Sequence, residues 1–173
     1  TVPFPGTLPG ALAFAAEAKR ALGAGFPVAF GGGYVSTELR AMRDRGIFAY
    51  ADYLCFDAGF GALAAILEHL QSGTDEFHKT IVRRGERLVA HGFDGADLAW
   101  FRAEPGYDTV EPTREAAWRA LDERAIREVF PDYAGLDFGR YLRISEGTNP
   151  MHALWSDTKW LKARLAHGCY WRR

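Results

Sequence analysis

Short apolar runs that end in small-residue turns, each followed by apolar residues at helical spacing, set the rhythm of the first 73 residues. Val28-Ala29-Phe30 has no polar alternation, as expected of a parallel strand covered on both faces, and runs into Gly31-Gly32-Gly33. Ser36 or Thr37 is placed to cap a helix over Glu38 to Arg43, which Arg45-Gly46 ends. Tyr53-Leu54-Cys55-Phe56 repeats the arrangement. It leads to Asp57-Ala58-Gly59, after which Leu63, Ile66, Leu67 and Leu70 recur at helical spacing until Ser72-Gly73. Upstream, Thr7 caps an alanine-rich helix with Pro9 in its first turn; it runs to Leu22, ends at Gly23, and has Ala11, Ala15 and Ala18 suited to close packing on a sheet. Helix, strand, helix, strand, helix predicts an α/β fold, part of a Rossmann-like, doubly wound parallel sheet, over residues 1–75.

Beyond Gly73 the pattern changes. Residues 80–83 and 87–90, split by Arg84-Gly85-Glu86, predict a β-hairpin at the edge of the domain. Residues 92–112 mix glycine, proline and aspartate without steady periodicity and read as a linker or surface loop. Thr113 to Arg127 has helical spacing, and Phe130 to Tyr141 is turn-rich and aromatic. Residues 76–158 are thus expected to form a hairpin, linker and helical connection. Residues 159–166 read as a strand, with His167 to Trp171 as the loop at its end.

The two strand-end turns are the candidate binding residues: Gly31, Gly32, Gly33 and Ser36 in the first, Asp57 and Gly59 in the second. Glycine admits positive φ and close approach of a ligand to the main chain, and free N–H groups at a following helix attract polar ligands. Two plainer readings stay open. Three glycines can simply make a tight connection, and Asp57 can cap the next helix.

Composition narrows the partners. A net charge of -1 from 21 basic and 22 acidic residues gives no field for nucleic acid or an anionic membrane. No apolar run approaches the roughly 18 residues that span a bilayer, and a cytoplasmic setting is expected. Cys55 and Cys169 form neither a disulfide framework nor a zinc signature. The nicotinamide, phosphate-loop, zinc-protease and serine-hydrolase motifs are all absent. His69 and His91 read as surface residues and His78 as part of a polar loop, whereas His152 and His167 lie in the aromatic tail near Cys169.

Several pieces in order resemble one family. They are Val2-Pro3-Phe4-Pro5-Gly6, Gly31-Gly32-Gly33-Tyr34-Val35-Ser36-Thr37-Glu38-Leu39-Arg40, Asp52-Tyr53 with Asp57-Ala58-Gly59, Pro131-Asp132-Tyr133, Asn149-Pro150-Met151-His152 and Ala166-His167-Gly168-Cys169-Tyr170-Trp171. Together they resemble radical SAM proteins with an N-terminal cobalamin-binding-type domain, over nearly the whole chain. The resemblance implies that residues 159–173 begin a β/α barrel. It also implies that Cys169 is the first of three cysteines holding a 4Fe-4S cluster, which binds S-adenosylmethionine. Arg172 and Arg173 beside Cys169 would favour its thiolate. The Asp-x-His-x-x-Gly motif of many cobalamin proteins is not in the chain, and Phe60 stands where relatives often carry an acid.

The chain opens on an apolar strand end running into a turn and stops just after Cys169, so a piece of a longer protein is expected. That protein would reductively cleave S-adenosylmethionine, with cobalamin as a further implied cofactor and a small-molecule substrate of unknown identity. The residues leave a second reading open: a ligand-binding α/β domain without redox chemistry, built on the glycine turn.

Overall fold

The computed structural model describes residues 1–130 together with 132, 134, 135 and 137. Thr1–Val129 form one compact unit, and the chain from Phe130 onward belongs to a second. In the latter, the N–H of Ala134 donates to Asp132 Oδ1 at 2.8 Å, a local turn. The predicted strand over residues 159–166, and with it Cys169, His152 and His167, lies outside the described residues.

The first unit is an α/β fold. Helix α1 (Leu8–Leu22) precedes β1 (Ala29–Phe30), and a short helix α2 (Gly33–Thr37) precedes β2 (Tyr53–Cys55). Helix α3 (Phe60–Ser72) follows, then β3 (Thr80–Arg84), β4 (Arg87–His91), α4 (Gly95–Ala103), β5 (Tyr107–Val110) and α5 (Glu115–Glu128). The strands form one sheet in the order β1-β2-β3-β4-β5. β1 pairs parallel with β2 and β4 with β5, while β3 is antiparallel to both β2 and β4.

The parallel pairing expected within residues 1–75 is present between β1 and β2, but the sheet they belong to is mixed, with β3 alone running against the other four. The hairpin is the reason. Gly85, at the first position of a two-residue loop, has φ +57°, as a type II′ turn requires, and the turn brings β4 straight back along β3. The hairpin is not an edge ornament but the middle of the sheet.

Alternation along the strands fixes two faces. Leu54, Ile81, Leu88 and Ala90 join Phe30, Phe56, Phe93 and Phe101 in one core, with Ala15 of α1 fully buried and Ala11 packed against it. Tyr53, Val82 and Val89 form the other with Phe77 and Ile66. α3 lies on that side and α5 packs on α3. Gly73 closes α3 in the left-handed conformation, its N–H donating to the carbonyl of His69 at 2.8 Å.

The stretch 92–112, expected as a linker, holds α4 and β5. α4 buries Phe101 and half-buries Leu98 and Trp100, and the Tyr107 hydroxyl donates to the Met42 carbonyl at 2.6 Å. Aromatic contacts and the parallel register with β4 supply what local periodicity did not show. The unit consequently continues past residue 75 to Val129. The helix expected over Glu38 to Arg43 is replaced by α2 and a turn, so neither Ser36 nor Thr37 caps a helix. Thr7 sits at the start of α1 but makes no side-chain cap; its hydroxyl donates to the Phe4 carbonyl at 2.7 Å.

Candidate functional site

Because β1, β2, β4 and β5 run the same way, their carboxyl ends meet one edge of the sheet. Open α/β sheets bind ligands outside that edge. The strand order does not reverse among the described residues, so the edge has no switch-point crevice.

The glycine turn is occupied by the chain itself. The N–H of Val2 donates to the Gly31 carbonyl at 2.7 Å, and the N–H of Tyr34 donates to the Val2 carbonyl at 3.1 Å. A Cβ on Gly32 would meet the Val2 backbone at 3.0 to 3.1 Å, and one on Gly33 would meet the Pro3 carbonyl at 3.1 Å. Of the three, only Gly32 has positive φ, +112°. The close approach that glycine permits is thus taken up by residues 2 and 3.

Ser36 lies inside α2, where its hydroxyl reaches across the edge and accepts the N–H of Asp57 at 2.9 Å. The structure thereby joins two of the sequence-predicted residues. Arg40 reinforces the tie: its Nε donates to the Ser36 carbonyl at 2.8 Å, its Nη atoms pair with Asp57 and Asp97, and its guanidinium lies 5.5 Å from the Phe56 ring centre. Asp57 (φ +62°) and Lys79 (φ +43°) are the only non-glycine residues with positive φ among the described ones. They are neighbours, since the N–H of Phe56 donates to the Lys79 carbonyl at 2.9 Å. Such conformations cost about 1–3 kcal/mol each and gather at functional sites. Lys79 Nζ also donates to Asp94 at 3.2 Å.

Gly59, at φ +82°, precedes α3 with open space where a side chain would stand. It stands at the N-cap without a side chain to offer, and Asp122 of α5 supplies the capping oxygen, its Oδ1 accepting the N–H of Gly61 at 2.8 Å. The same carboxylate holds His78 through Oδ2 and Nε2 at 3.0 Å, while Glu115 Oε2 meets His78 Nδ1 at 2.9 Å. His78 is only 2% exposed, and a Cβ on Gly61 would lie 2.7 Å from its ring. Sequence reasoning missed this cluster. Its one local signal was an aspartate at position 122 between Trp118 and Ala125, the buried stripe of α5.

His91, expected at the surface, is also 2% exposed. Neither ring nitrogen has a hydrogen-bond partner, and burial pushes its pKa down to about 4, so the ring is neutral. Burial likewise pushes the Cys55 thiol up to about 11, against a lowering hydrogen bond with Thr80. Cys55 is therefore no ready thiolate. No group of three or more His, Cys, Asp or Glu among the described residues is arranged to hold a metal ion, and no described helix is long and apolar enough to cross a membrane.

No family model, no curated protein and no solved structure matched this chain.

Proposed function

We propose that Thr1–Val129 form a small-molecule-binding unit whose ligand lies over the carboxyl edge at Ser36, Asp57 and Gly59. The hydrogen bond between Ser36 and Asp57 carries this reading: it locks two strand-end turns together where Asp57 is exposed and Gly59 leaves open space. Gly31, Gly32 and Gly33 then shape the turn from below, against Val2 and Pro3, rather than touching the ligand.

The resemblance proposes cobalamin as that ligand and a radical SAM enzyme as the whole protein. A cobalamin at that edge would be held by Ser36, Asp57 and Gly59, while His78, with carboxylates on both ring nitrogens, and His91, enclosed in the core, would take no part. When bound, the 4Fe-4S cluster and S-adenosylmethionine would supply a deoxyadenosyl radical. On this chain Cys169 would contribute one thiolate ligand, with resemblance alone as support.

Titration of the full chain with hydroxocobalamin, followed by equilibrium dialysis, tests the ligand. Saturable 1:1 binding that weakens in Asp57→Gly and Ser36→Ala, with unchanged melting, is expected; binding indifferent to both variants defeats the edge site. Reading the coding sequence past Arg173 tests the enzyme class, because two further cysteines within about ten residues are required to complete the cluster ligands.

A further inference from the structure

The opposite, amino edge of the sheet holds a cleft of about 560 Å³. That is large enough for a small organic molecule. Pro27 before β1, Phe48 before β2 and Leu70 in the last turn of α3 give it apolar walls, while Tyr53, Arg83 and Arg84 contribute polar groups. Its walls share no residue with the carboxyl-edge site, so it stands independently of that reading.

We propose that this cleft binds a small anion with a flat apolar body, the charge meeting Arg84, Arg83 and the Tyr53 hydroxyl. Tyr53 is 8% exposed, yet its hydroxyl has no hydrogen-bond partner among the described residues. The hydroxyl oxygen is not among the enclosed polar atoms, so it meets water at the cleft and a ligand can replace that water. Of the surrounding acids, Asp52 is held by Lys19 at 2.8 Å and Asp75 by Arg84, whereas Glu86 stands 85% exposed in water and meets Arg83 and Arg45 only at 3.4 and 3.6 Å. The arginines are not used up. Arg84 spends one Nη on Asp75, and Arg83 spends Nε on the Gly85 carbonyl at 2.8 Å with a long 3.4 Å contact to Glu86. With Glu86 out in solvent, the free groups turned to the cleft are the remaining N–H donors of Arg83 and Arg84, which an anion satisfies and a cation does not. Leu70, half exposed at the rim, offers the body of such a molecule an apolar surface.

The test uses 2-naphthoate as probe and its neutral analogue 2-naphthalenemethanol as control, titrated into the ¹⁵N-labelled full chain. Saturable amide shifts at Gly25, Gly85 and Leu70 are expected for the anion, with the alcohol weaker by about tenfold or more. Arg84→Gln should weaken the anion by a similar factor, and Tyr53→Phe by a smaller one, at a melting temperature near the parent's. Leu70→Glu, a change at an exposed position that places a carboxylate at the rim, should also abolish binding. Equal binding of anion and alcohol, shifts elsewhere on the protein, or no saturation below roughly 10 mM would overturn the proposal.

Discussion

The Ser36 hydroxyl accepts the backbone N–H of Asp57 at 2.9 Å, across the parallel pair β1 and β2. The bond turns two separate strand ends into one surface. It also explains why Asp57 holds φ +62° without being glycine: Ser36 secures its N–H and Arg40 its carboxylate. Removing the Ser36 hydroxyl leaves that backbone group facing water, so the loss is expected in ligand affinity rather than in stability.

Gly32→Val should behave oppositely. Its Cβ would sit at 3.0 to 3.1 Å from the Val2 backbone at φ +112°, where a β-branched residue is strained. A loss of about 2–4 kcal/mol in urea unfolding is expected, with hydroxocobalamin affinity of the folded fraction unchanged. Parent-like stability would contradict the packing of Val2 against the turn.

Asp122→Ala should cost about 3 kcal/mol or more, because it strips the capping acceptor from Gly61 and one of the two carboxylates from a buried histidine. Asp122→Asn keeps an oxygen for the Gly61 N–H and should recover part of the loss. Thermal melting of the two variants side by side separates the cap from the contact with His78; an alanine variant as stable as the parent would dismiss both roles.

His91 predicts an acid limb. Its pKa in the fold is about 4, below the ordinary 6.5, so the unfolded chain binds the proton more readily. The stability of the neutral ring is fully present above about pH 6.5 and is lost as pH falls toward 4. Urea midpoints measured across that window should drop less steeply in His91→Leu than in the parent. Identical slopes would mean that the ring is hydrated in the fold.

Cys55 should resist alkylation. With its thiol pushed up to about 11, thiolate at pH 8 amounts to only about one part in a thousand. In a Cys169→Ser background, iodoacetamide should modify Cys55 far more slowly in the folded chain than in the urea-unfolded chain at the same pH, as mass spectrometry would show; equal rates would contradict the raised thiol.

Much of the local structure was legible in the chain. The alanine run of α1, the Gly23 and Gly73 stops, the apolar runs of β1 and β2, the hairpin about Gly85 and the periodicity of α5 all arise from interactions among near neighbours, which residue type and spacing record. The direction of β3, the place of α4 and β5 in the core, and the burial of His78 and His91 were not legible. Each depends on a partner far along the chain: Leu54 opposite Ile81, Met42 beneath Tyr107, Asp122 beside Gly61. The glycine turn lies between the two cases. Sequence marked Gly31 to Gly33 as a place of close backbone approach, because only glycine leaves that space empty. Tertiary structure decided that Val2 and Pro3 fill it, since the occupant of a gap is fixed by which distant segment folds against it and not by the residues that make the gap.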